Sequence, residues 1–188
     1  MNRDEALKLV ESRLGGTATM AHCLACEACM RALARRFDED EELWGVTGLV
    51  HDLDLDETAD APQRHTVLGA EILRERGYPE DLVQAVLGHN DKAERESLLA
   101  RALWVVDPTT GFITAAALIR PSKSTSDLKV KSIKKRMNDK RFAAAVDRDQ
   151  IRACEEQLGI ELNDYLALCL EAMDEIRDEI GLGGANPD

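Results

Sequence analysis

The sequence predicts an all-α fold, a single helical bundle over residues 1–188, and three observations carry that reading. Apolar residues recur at threes and fours along nearly the whole chain. The β-branched residues are scattered and the turns lack hairpin signals, so no strand pattern emerges. Helix-stopping residues, Gly15-Gly16, Gly77 and Asp107-Pro108, punctuate the periodic stretches. A composition of 44% hydrophobic and 32% charged residues belongs to a folded globular chain, and 188 residues suffice for one core.

Leu7, Val10 and Leu14 set a first amphipathic helix after Asp4, stopped by Gly15-Gly16. A second, rich in alanine and leucine, is expected from about Thr19 to Arg36. The third runs from Glu41 to Leu53 with Leu43, Val46, Leu49 and Val50 inward and His51-Asp52 at its C-terminal end. Residues 54–64 are acidic, contain Pro62 and have no apolar repeat, so they read as a loop. His65 opens a fourth helix ending at Gly77, and Pro79 starts a fifth with Leu82, Val86 and His89. The stretch Arg95 to Val106 is expected to stop at Asp107-Pro108, because the residue before a proline is pushed out of helical geometry. Residues 112–119 are apolar. A further helix is expected after Ser126, then helices near 148–158 and 163–180, the last with a stripe from Leu162 to Ile180. The tail 181–188 reads as frayed.

The opening residues carry charge from the third position and no apolar run approaches the roughly 20 residues of a bilayer span, so the expectation is a cytosolic protein without a membrane partner. Five cysteines, an odd number, argue for free thiols. Cys23, Cys26 and Cys29 sit at strict threes, but the fourth cysteine of an iron–sulfur run is replaced by Leu33, which leaves core packing as their expected role. The net charge of −12 argues against nucleic acid as a partner. Residues 120–141 run the other way, with nine Lys or Arg against Asp127 and Asp139. That segment reads either as a local anion site or as a solvated helix face.

The residues that carry chemistry centre on His51-Asp52. The doublet follows Gly48-Leu49-Val50 and so brings an imidazole and a carboxylate to the edge of a core, where a charge is costly unless paired or metal-bound. The other histidines each fall on a separate expected helix: His22 near the start of the second, His65 at the start of the fourth and His89 near the end of the fifth. Asp107 interrupts an apolar run and needs a partner there, which sets it ahead of its rival Asp91. Four imidazoles with one or two carboxylates suit a divalent transition metal, whether Fe, Mn, Zn, Ni or Co, better than magnesium or calcium.

The order His22, His51-Asp52, His65, His89, Asp107, with GLVHDLD, HTVLGAEILRERG and AVLGHN around it, resembles the HD superfamily (HDIG type) of helical metal-dependent phosphohydrolases. The resemblance covers about residues 20–110 and leaves 111–180 as a helical extension. It implies one ion held by His22, His51, Asp52 and Asp107, and a second that adds His65 and His89, with Asp52 bridging the two. It further implies hydrolysis of a phosphate ester or anhydride, such as a nucleotide, through metal-activated water. Bacterial hydrolases of diadenosine tetraphosphate are the nearest activity class. Asp52 then serves catalysis as well as binding, and Lys123 and Arg64, with Arg120 and Lys129, are candidates to meet the phosphate charge. Two alternatives stay open on the same residues: a mixed-valent di-iron oxygenase, and a non-catalytic module that binds metal and nucleotide. Pro108 departs from the family pattern, in which the final aspartate lies inside a continuing helix.

Overall fold

A computed structural model describes residues 2–184 of the chain. The helices are α1 (Arg3–Glu11), α2 (Thr17–Phe37), α3 (Glu41–Val50), α4 (Val67–Glu75), α5 (Glu80–His89), α6 (Leu98–Leu118), α7 (Val130–Met137), α8 (Arg148–Arg152), α9 (Cys154–Leu158) and α10 (Leu162–Glu175), with a 3₁₀ turn at Pro62–Arg64. The fold is all-α, and among the described residues strand pairing is confined to one bridge between Ser124 and Gly183. No described helix is long and apolar enough to cross a membrane.

Local chemistry accounts for the helix starts. Asn2 caps α1 and closes a box with Glu5. The Asp40 carboxylate accepts from the amides of Glu42 and Leu43 at the head of α3, and Ser97 accepts from Ala100 at the head of α6. α2 ends where Asp38 turns left-handed at φ 58°.

Two apolar clusters fill the interior. One joins α2, α6 and α10 through Met30, Leu33, Leu103, Phe112 and Tyr165. The other joins α1, α3, α4 and α5 through Val10, Leu49, Leu73, Leu82 and Val86. Helix α2 serves both, because Cys23 faces the second and Cys26 the first. All five cysteines are free and buried, so core packing is the role they fill.

Two approaches decide where the site forms. Helix α3 lies against α2 so closely that a Cβ on Gly48 would stand 2.7 Å from the Cys26 carbonyl oxygen. Only glycine permits that contact, and it sets His51, three residues on, beside His22, one turn back.

The second approach corrects the sequence expectation at Asp107-Pro108. Helix α6 does not stop there but runs through Pro108 to Leu118. Proline removes the amide that would have bonded Trp104 O, and that carbonyl accepts instead from Gln150 Nε2 of α8. Val105, Val106, Thr109, Phe112 and Ile113, buried on both sides of the proline, hold the helix in place through it. Other ends shift modestly. His65 precedes α4 rather than opening it, and residues 54–60 form tight turns that bury Asp54 and Thr58 rather than an open loop. The tail is packed through Gly184: Leu182 is buried and its carbonyl accepts from Thr125 N at 3.2 Å. The remainder of the expected frayed tail, 185–188, lies outside the described residues.

Candidate metal centre

The six residues His22, His51, Asp52, His65, His89 and Asp107 come from five parts of the chain and converge in one cluster. His51 is fully buried at the end of α3, and its Nδ1–H donates to Gly48 O at 2.8 Å. His89, at the end of α5, repeats the arrangement with Val86 O at 2.7 Å. His65 Nδ1–H donates to the buried Asp54 carboxylate at 2.8 Å. His22 is fixed by Thr110. The Thr110 hydroxyl donates to Asp107 O at 3.0 Å, so its lone pair accepts from His22 Nδ1–H at 3.1 Å. In each imidazole the outer partner engages Nδ1 and turns Nε2 toward the centre, where it is the nitrogen a metal would take in exchange for its proton.

Asp52 lies between them with its two oxygens divided. Oδ2 faces His51 Nε2 at 3.4 Å and His22 Nε2 at 3.7 Å. Oδ1 faces His65 Nε2 at 3.3 Å and His89 Nε2 at 3.4 Å. Asp107 Oδ1 joins the first group, 3.1 Å from His22 Nε2 and 3.9 Å from His51 Nε2, while the two imidazoles there stand 3.2 Å apart. Two donors each about 2.1 Å from one ion lie about 3.0 Å apart at right angles and about 3.4 Å apart at a tetrahedral angle. Spacings of 3.1–3.4 Å fall at or close to this range on both sides of Asp52, while His22–Asp52 at 3.7 Å and His51–Asp107 at 3.9 Å lie above it; four donors stand on one side and three on the other.

The electrostatics point the same way. Burial resists charge on His51, yet Asp52, Asp107 and the Gly48 carbonyl outweigh it and take the imidazole pKa up to about 9. Burial likewise resists charge on His65, and Asp52 with Asp54 lifts it to about 9. Burial pushes Asp52 up, but the charge and hydrogen bonds of His51, joined by those of His65 and His89, hold it well below the usual carboxylate range. Asp107 is also held low: enclosure raises it, and the hydrogen bond from His22 prevails. Carboxylates that draw protons onto neighbouring imidazoles create a field equally suited to a divalent cation.

Cys26 comes close, with Sγ 3.8 Å from His22 Nε2. Complete burial drives its thiol pKa well up in the metal-free chain, where Sγ is engaged with Thr110 Oγ1 at 3.3 Å, and with the His22 and His51 nitrogens Sγ forms a set of donors that one ion could reach. Asp91 is not part of the cluster. It is exposed, turned left-handed at φ 56° and paired with Arg95.

The cations named from sequence have other contacts. Arg64 stands 3.7 Å from Glu71, Arg120 is held by Asp127 through two bonds of 2.8 Å, and Lys123 and Lys129 are exposed. None of the four lines the cavity of about 430 Å³ that opens beside His22, whose walls include Ala18, Ala21, Gly111, Thr114 and Leu118.

Sequence reasoning missed Asp54, Thr110 and the carbonyls of Gly48 and Val86. Asp54 carried a usable signal, since it repeats the Asp52 side of the short run His51-Asp52-Leu53-Asp54. The strained turn at Thr66, φ 70° with a buried hydroxyl that finds no partner, carried none. It lies directly after His65, where backbone strain accompanies a constrained site.

Residues 19–174 match the HD domain family, a match that extends well beyond residue 110, where the motif resemblance ends. Ribonuclease Y of Sulfurovum sp. (strain NBC37-1) is 24% identical over 172 residues, which cover 90% of this chain. The chain spans about a third, 34%, of that curated relative's length. No solved structure matches the chain.

Proposed function

This chain belongs to the HD-domain family, and on that premise we propose that it is a metal-dependent phosphohydrolase acting on a nucleotide or related phosphate ester or anhydride, with two divalent transition-metal ions held either side of Asp52. The observation that carries this reading is the division of the Asp52 oxygens, one toward His22 and His51, the other toward His65 and His89. Such ions, when bound, supply a water acidic enough to ionise near neutral pH and neutralise charge on phosphoryl oxygens.

The chain's own groups set the conditions for that chemistry. Asp54, Thr110 and the Gly48 and Val86 carbonyls fix the imidazoles before a substrate arrives, so no reorganisation is needed. The side with three donors leaves more room for water and phosphate oxygens than the side with four. The cavity beside His22, with small residues such as Ala18, Ala21 and Gly111 on its wall together with Asp178 and Glu179, receives the organic part of the substrate. The ribonuclease name of the relative points to the same kind of bond, a phosphodiester.

The test begins with metal analysis of protein purified without chelator, followed by phosphate release from a nucleotide panel and from bis-p-nitrophenyl phosphate with each ion found. We expect turnover that is lost in His51→Ala and Asp52→Asn while far-UV circular dichroism is retained. Turnover unchanged in both variants defeats the reading, as does oxygen consumption by the iron-loaded chain without phosphate release.

A further inference from the structure

The basic segment has no part in the site described above, and its structure is not that of a uniformly solvated helix. Helix α7 turns Ile133 and Met137 into the core and leaves Lys131 and Lys135 exposed. Arg120 is neutralised by Asp127, and Arg141 stands 3.9 Å from Asp139. Among the described residues Lys131, Lys135, Arg136 and Lys140 make no ion pair. Beside them opens a cavity of about 470 Å³ with Ala116, Ile119 and Leu128 as an apolar floor and Ser132, Lys135 and Arg136 on its wall, Asp139 being the one acidic group there. Arg136 lies over the Phe142 ring, 5.2 Å from its centroid, which holds the guanidinium in place.

This cavity and the one beside His22 lie on either side of the last turn of α6. Leu118 borders the His22 cavity and Ile119 borders the cationic one. The two side chains are 48% and 50% exposed, an unusual display of adjacent large apolar groups. A row of unpaired cations beside an apolar floor, with two exposed apolar side chains between this cavity and the one beside His22, describes the requirements of one kind of ligand.

We propose that the cationic cavity beside α7 binds the backbone of a single-stranded oligonucleotide, which passes over Leu118 and Ile119 toward the His22 cavity. Phosphates lie against Lys135 and Arg136, and a base rests on the floor of Ala116, Ile119 and Leu128. The net charge of −12 does not forbid this, because charges beyond the Debye length of about 8–10 Å are screened. A lipid surface fits less well: the apolar face of α7 is already buried in the core, and Leu118 with Ile119 offers far less than the apolar face of an interfacial helix. The proposal deepens the phosphohydrolase reading by naming the substrate class, and rests on it for what happens at the cluster. The binding surface stands on its own observations.

The experiment measures fluorescence anisotropy of a labelled single-stranded RNA of about a dozen nucleotides, and of the matching DNA, with the chelator-stripped 188-residue chain. Each phosphate contact to a single strand contributes about 0.7 to the slope of log K against log salt, so losing two contacts lowers affinity about 25-fold at about 0.1 M salt and the slope by about 1.4. We expect that loss for Lys135→Ala/Arg136→Ala, and about a fivefold loss for Lys131→Ala/Lys135→Ala, whose side chains are both exposed and support no core and of which Lys135 alone meets a phosphate. Lys8→Ala/Lys92→Ala, the same charge change on other surfaces, should stay within about twofold, since each site lacks a phosphate contact. The proposal is overturned if neither oligonucleotide binds, if the control pair loses as much affinity, or if the chain binds phosphatidylglycerol vesicles and no oligonucleotide. Because the metal is stripped, the result does not depend on turnover. A chain that binds here but hydrolyses nothing defeats the proposed function and leaves this surface standing.

Discussion

Gly48→Ala tests the packing that brings the two halves of the site together. The new Cβ would stand 2.7 Å from Cys26 O, 2.8 Å from Cys26 C and 2.9 Å from Glu27 N, all of them backbone atoms with no rotamer to give way. Relief to an ordinary contact of 3.4 Å moves α3 away from α2 by about 0.7 Å. Overpacking of this kind costs about 1–3 kcal/mol. Alanine recovers up to about 1 kcal/mol over glycine inside a helix. The net loss of roughly 1–2 kcal/mol corresponds to a fall in Tm of about 2–8 °C for a chain of this length. His51 moves with α3 relative to His22, and a site that tolerates only about 0.2 Å in ligand distance loses about 10–100-fold in metal affinity. Gly111→Ala is the internal control. No atom lies within 4 Å of a Cβ added there, so only the helix-propensity gain remains and Tm should hold or rise. Thermal melts followed by circular dichroism, and calorimetric titration of stripped protein with Mn²⁺ or Zn²⁺, read both effects. If Gly48→Ala melts with the wild type and binds metal equally well, the close approach of α2 and α3 does not set the site.

Three other outcomes follow from the same geometry. Asp54→Asn removes the anionic partner of His65 Nδ1 and weakens the ion on the His65–His89 side about 10–100-fold, so calorimetry should show two equivalents falling to one; two undiminished equivalents contradict the role given to Asp54. Gln150→Leu leaves the Trp104 carbonyl without a donor beneath Pro108 and should cost about 1–3 kcal/mol in urea unfolding; an unchanged midpoint means another group satisfies that carbonyl. In the metal-free chain the His51 and His65 pKa values are raised from 6.5 to about 9, so the stability they contribute is fully present below pH 6.5 and is lost as pH rises to about 9. Metal uptake between those limits must therefore release protons and tighten as pH rises. Binding heats that do not vary with the ionisation enthalpy of the buffer would refute this.

The histidines and aspartates of the cluster were legible in the linear chain because His51-Asp52 and His89 close apolar helical runs, Asp107 interrupts one, and a polar group at such a position needs a partner; His22 and His65 were legible from their order with these. The all-α character was legible for a related reason: a period of three to four apolar residues is a local property, carried by side chains within two turns of one another. The course of α6 was not. A proline after Asp107 predicts a break from local sterics alone, and the compensation, Gln150 beneath Trp104 O, comes from more than forty positions away. Only the tertiary structure could decide that Asp107 and Thr110 share one continuous helix and both reach His22. The partners that fix each imidazole were hidden likewise, since two are backbone carbonyls without a signature in residue type, and Thr110 meets His22 only through packing. The division of the Asp52 oxygens belongs wholly to the folded chain. A carboxylate acquires two distinct sides only when helices from both apolar clusters close around it.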